Sequence, residues 1–150
     1  MAKRVLIPIA AAAAVLLVVL SGCGGSGGNE TPTKAEFARK GEAICGKLQS
    51  EKEEHIAKLA KEAQGKVPSV AQREATLLET VGSYEKVAGE IGELSAPAGD
   101  EKKVEAIVAA MKESAENVKA DPGTSLTNSE IAFKKANSLL AAYGIKGCEL

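Results

Sequence analysis

From Thr33 onward the apolar residues recur at intervals of three and four, and no stretch alternates at two, so the pattern predicts helices and no strands. Four helices are expected. The first opens at Thr33-Lys34-Ala35-Glu36, a capping box, and carries Phe37, Gly41, Ile44, Cys45, Leu48, Ile56, Leu59 and Ala63 on one face until about Gly65. The second opens at another capping box, Ser69 with Gln72. Its stripe is Val70, Leu77, Val81, Tyr84, Val87, Ala88 and Ile91, and Pro97 forbids its continuation. The third follows Pro97, with Asp100 and Glu101 in its first turn and Val104, Ile107, Val108, Met111, Ala115 and Val118 inward, and stops at Asp121-Pro122-Gly123. The fourth is expected over 128–143, with a capping box from Thr127 and Glu130 and a staple between Leu126 and Ile131. Gly144 is placed at its left-handed end, so that Ile145 can touch Leu140.

Short breaks between amphipathic helices imply an all-α domain over residues 33–150, an up-down-up-down antiparallel four-helix bundle. The fourth helix has about half the residues of the first, so it is expected to reach only to the middle of helix one. That would leave Phe37, Gly41 and Ile44 on an overhang as an interaction surface; the alternative is that they pack against helix two, helix three or the tail. Gly82, Gly89 and Gly92 interrupt helix two, each at up to about 1 kcal/mol against Ala. Either a neighbouring helix approaches closely along Gly82 and Gly89, or helix two is mobile. Lys52 and Glu74 project into apolar stripes, where a charge must be paired or reach outward.

The N-terminal pattern is different. Lys3-Arg4 precedes an uncharged, mostly aliphatic run from Val5 to Leu20, followed by Leu20-Ser21-Gly22-Cys23 and a Gly/Ser-rich stretch. This order of basic, apolar and small residues resembles the bacterial prolipoprotein signal with its lipobox. The resemblance implies that residues 1–22 are a removable leader and that Cys23 carries a covalent lipid. Residues 23–32 would then be a flexible tether holding the domain at the extracytoplasmic face of the cell membrane. An uncleaved span fits less well, because the run is short of about 20 residues, contains Pro8 and lacks a basic stop-transfer flank.

Setting Cys23 aside turns three cysteines into two, and in a compartment that permits disulfides Cys45 and Cys148 can pair. The expected bundle brings the tail back to the level of Cys45, and the alternative is two free thiols. Charge changes the picture little: 19 basic and 20 acidic residues are interspersed, which gives nucleic-acid binding no basic patch.

Candidate chemistry is sparse. The single His55 lies at the edge of the first stripe and reads as packing; pairing it with Met111 as haem ligands would need a pocket that so few aromatics cannot line. Cysteine and histidine spacings for zinc or haem attachment, nucleophile elbows and phosphate loops are absent from residues 23–150. No catalytic residue, metal or cofactor is therefore expected beyond the lipid on Cys23. The segments KAEFARKGEAIC, ELSAPAGDEKKVEAIVAAM and AYGIKGC resemble uncharacterised small lipoproteins and secreted helical proteins of actinobacterial type. That resemblance implies export, a helical domain and the Cys45/Cys148 pair, and carries no activity. The expectation is a non-catalytic, membrane-anchored interaction or structural module of the cell envelope with a protein or small-molecule partner. The alternative is a carrier with an apolar or lipid ligand in a cavity lined by Leu77, Val81, Ile107 and Met111.

Overall fold

A computed structural model describes residues 31–150, so the expected leader over 1–22, Cys23 and most of the expected tether over 23–32 lie outside the described residues. The described chain is all-α, with α1 (Lys34–Glu62), α2 (Val70–Glu93), α3 (Glu101–Ala120), α4 (Pro122–Thr127) and α5 (Ser129–Tyr143), and no strand among the described residues. Two of the three expected capping boxes form, at Thr33 and at Ser69. Glu36 N–H donates to the Thr33 hydroxyl at 3.2 Å while Thr33 N–H donates to the Glu36 carboxylate at 2.8 Å. Ser69 and Gln72 repeat the exchange at 3.2 and 2.9 Å. Each box satisfies two N–H groups that the first helical turn leaves without partners. At the other end of the chain Gly144 takes φ 94°, its N–H donates to Ala141 O at 3.1 Å and Ile145 N–H donates to Leu140 O at 2.9 Å. These are the two bonds of the Schellman stop, and they need a residue without a Cβ penalty in the left-handed region.

Five helices replace the four expected. Asp121-Pro122 ends α3 and at once begins α4, because Pro122 supplies a fixed φ at the first helical position and Asp121 accepts from Thr124 N–H at 2.9 Å. Thr127 is consequently the last residue of α4, and its hydroxyl donates back to Thr124 O at 2.9 Å. The Thr127/Glu130 box does not form; α5 is capped at Asn128 without a side-chain bond. Nor does the Leu126/Ile131 staple close, since Ile131 is 73% exposed.

Cross-helix pairs set the register. Lys47 pairs with Glu90 at 2.9 Å and Lys58 with Glu79 at 2.7 Å, so advance along α1 is retreat along α2. Lys119 of α3 pairs with Glu85 of α2, and Lys135 of α5 with Glu113 of α3 at 2.7 Å. The last turn of α3 therefore stops level with Glu85, well short of the α2 start at Val70. The α1–α2 hairpin projects beyond α3, and α4 packs against α2 just past the point where α3 ends.

The core joins all four long helices and the tail, and its largest buried side chains are Tyr84, Phe37 and Phe133. All four aromatic residues of the chain sit in two edge-to-face pairs, Phe37 with Tyr143 at 5.5 Å and Tyr84 with Phe133 at 5.3 Å. Such pairs add about 0.5–1.5 kcal/mol each beyond area burial, and none of these rings is left on the surface. Gly82 and Gly89 are not sites of close helix approach, because a Cβ at either would meet nothing within 4 Å. Among the described residues no helix is long and apolar enough to cross a membrane.

Candidate functional site

The tail after Gly144 turns back along α1 and completes the core. Ile145 is fully buried against Gly41, Cys148 is joined to Cys45 by a disulfide with Cα atoms 4.8 Å apart, and Gln49 Nε2 donates to Gly147 O at 2.7 Å. The tail thereby fills the gap between α1 and α5, as the pairing of Cys45 with Cys148 requires. Cys23 lies outside the described residues.

The overhang is at the opposite end from the one expected. Phe37 is fully buried against Tyr143, Gly41 is buried under Ile145, and Ile44 is half-buried against the core. These three residues form no free surface. The expectation placed the start of the last helix level with the α1–α2 turn; because α3 stops short at Glu85, α5 starts lower and its end reaches the start of α1. Tyr143 Oη there donates to Asp100 Oδ2 at 3.1 Å, and Lys34 stands 4.8 Å from the Tyr143 ring centre. Burial first and the Asp100 carboxylate second push the Tyr143 hydroxyl up to about 12. Lys103 holds Asp100 below the usual carboxylate range, with Tyr143 helping.

The uncovered apolar surface belongs instead to the projecting hairpin. Ile56, Val67, Val70 and Leu78 are exposed there, and Ile131 at the start of α5 is exposed as well. Between the hairpin and α4, α5 and the chain's last residue runs a groove of about 330 Å³, lined by Ile56, Leu59, Leu77, Leu126, Phe133 and Leu150 with Lys52 and Arg73 at its edges. Lys52, expected as an awkward charge in a stripe, thus stands half-buried at the groove. Glu74 turns the other way and lies against Gly123 of α4, whose missing Cβ leaves it room. The four residues expected to line one carrier cavity separate: Val81, Ile107 and Met111 are in the closed core, and Leu77 opens on the groove.

Sequence reasoning did not find Arg73, Leu126 or Leu150 as members of a site. The inequality of helix lengths carries the signal, and the level at which Lys119 meets Glu85 decides which end of the hairpin it leaves open. His55 spans α1 and α2, its Nδ1 lying 3.3 Å from the Thr80 hydroxyl. That hydroxyl also donates to Thr76 O at 2.9 Å. Among the described residues two buried side-chain oxygens have no partner, Tyr84 Oη and Asn137 Oδ1; burial first, then the Glu149 charge, raises the Tyr84 hydroxyl well above its ordinary range. No group of three or more His, Cys, Asp or Glu able to hold a metal occurs among the described residues. No family model matches the chain, and neither does any curated protein or solved structure.

Proposed function

We propose that this chain is a non-catalytic lipoprotein, anchored through a lipid on Cys23 at the extracytoplasmic face of the cell membrane, whose helical domain serves as an interaction or structural module of the envelope. The observation that carries the reading is Leu20-Ser21-Gly22-Cys23 at the end of an apolar run behind Lys3-Arg4, with the other two cysteines of the chain occupied by one another. The domain reads as an up-down-up-down antiparallel four-helix bundle with α4 as an added turn in its last connection. Lys47 with Glu90, Glu85 with Lys119 and Glu113 with Lys135 support that topology. A tether that enters at Thr33 leaves the projecting hairpin at the far end of α1, the end that carries the exposed Ile56, Val67 and Val70.

Replacing Cys23 by Ser tests the anchor. The expected result is release from the membrane or a leader left uncut, with loss of the lipid mass from the mature chain. Membrane retention and mass both unchanged would overturn the reading. The apolar groove favours a second reading, in which the domain carries a small apolar or lipid molecule, no longer in a central cavity but along the hairpin.

A further inference from the structure

The groove has a definite length. Lys52 lies level with about position 84 of α2, by the pairings of Lys47 with Glu90 and His55 with Thr80, and Arg73 lies about eleven residues earlier. At 1.5 Å per residue the two cations are separated by about 16 Å along the hairpin. The groove between them is therefore long and, at about 330 Å³, narrow. A docked helix, about 10 Å across with its side chains, is too wide for it. A single extended hydrocarbon chain is not.

The wall chemistry points the same way. Leu77, Leu126, Phe133 and Leu150 present hydrocarbon, and of the three hydroxyl side chains in the wall Ser129 is exposed while the two threonines are occupied within α2: Thr76 donates to Gln72 O at 3.0 Å and Thr80 to Thr76 O at 2.9 Å. No acidic side chain lines the groove, and neither Arg73 nor Lys52 makes an ion pair with a described carboxylate. The two cations are not equivalent. Lys52 is half-buried at the inner end, beside Leu150, whereas Arg73 is exposed at the outer mouth in the first turn of α2, where the helix dipole adds positive field. A guanidinium also matches a carboxylate through two parallel N–H bonds. By contrast, the lysines of the depression at the other end include Lys103, bound to Asp100, and Lys34, set over Tyr143.

We infer that the groove binds a long-chain fatty acid, with its carboxylate on Arg73 and its chain running inward over Leu77 and Phe133 toward Leu150. The inference rests on the carrier reading and is independent of the anchor on Cys23. The test is photolabelling of the full chain in its own membrane with a diazirine-bearing hexadecanoate and, in parallel, the matching diazirine-bearing alcohol, followed by mapping of labelled peptides.

The carboxylate probe labels the peptides containing Leu77 and Phe133, and hexadecanoate competes for the label while hexadecanol does not. Arg73→Gln lowers that labelling about tenfold, the worth of one charge-assisted pair, and Lys52→Gln leaves it within about twofold. Melting curves of both variants that match the parent exclude a folding defect. Equal labelling by the acid and the alcohol, insensitivity to Arg73→Gln, or dependence on Lys52 in its place would overturn the inference and leave the carrier reading standing. Absence of label from both probes in the groove overturns both.

Discussion

Three glycines on helical segments offer a controlled comparison of how the tail is held. Replacing Gly by Ala in a helix interior gains about 0.5–1 kcal/mol from backbone entropy when the new methyl has space. At Gly82 and Gly89 a Cβ meets nothing within 4 Å, so each change should show that gain in full. At Gly41 the Cβ would stand 3.2 Å from three atoms of Ile145, which is fully buried and pinned between the Gly144 stop and the Cys148 crosslink. Overpacking of that kind costs about 1–3 kcal/mol, enough to cancel or reverse the helical gain. For a domain of this length about 1 kcal/mol moves the melting temperature by roughly 4 °C. Gly82→Ala with Gly89→Ala should therefore raise it by about 4–8 °C, and Gly41→Ala should leave it unchanged or lower it by up to about 10 °C. The assay is thermal and urea unfolding followed by far-ultraviolet circular dichroism. A double-mutant cycle with Ile145→Ala should recover the clash, because all three crowded atoms are removed. If Gly41→Ala stabilises as much as Gly82→Ala, Ile145 is not seated on α1 and the account of the tail fails.

Reducing the Cys45–Cys148 crosslink, which closes a separation of 103 residues, should cost up to about 4.7 kcal/mol on the chain-entropy account. A melting temperature that does not fall under reductant would show that the tail gains nothing from the bond. Tyr84→Phe removes a buried hydroxyl that has no partner while keeping the edge-to-face contact with Phe133, so the unfolding free energy measured in urea should rise by about 1 kcal/mol or more; a clear loss of stability would mean the hydroxyl is bonded. Glu36, Glu79, Asp100 and Asp121 all have pKa values lowered in the folded chain, by Thr33, Lys58, Lys103 and Thr124 respectively before any other cause. Their contribution is complete above the ordinary values of 4.5 and 3.8 and is lost as pH falls through the lowered ones. Urea midpoints should therefore drop on acidification from about pH 4.5, and Asp100→Asn with Asp121→Asn should flatten that limb; an unaltered limb would remove both residues from the account.

Local signals in the chain were legible because their physics is local. The boxes at Thr33 and Ser69 need only residues three apart, and the left-handed Gly144 with Ile145 needs only the turn that precedes it; the same spacing at Thr127 and Glu130 failed because α4 already takes Thr127 as its last residue. The Cys45/Cys148 pair was legible for a different reason: two cysteines remain once Cys23 is set aside, and any return of the tail to α1 brings them near. What the pattern of apolar positions could not supply was the register of one helix along another. Periodicity identifies the face that is buried, and it is silent about where the neighbouring helix stops. Here the missing quantity was set by α3, which ends at the level of Glu85, and by α4, a six-residue turn with no apolar period to announce it. The stripe of α1 is continuous in sequence from Phe37 to Leu59, yet only its first half meets α5 and the tail. Phe37, Gly41, Cys45 and Leu48 become core, while Ile56 and Leu59, placed on the same face by the same spacing, become the wall of a groove. The apolar surface left open on this domain follows from a helix that ends early, and lengthening α3 by two turns would be the direct way to close it.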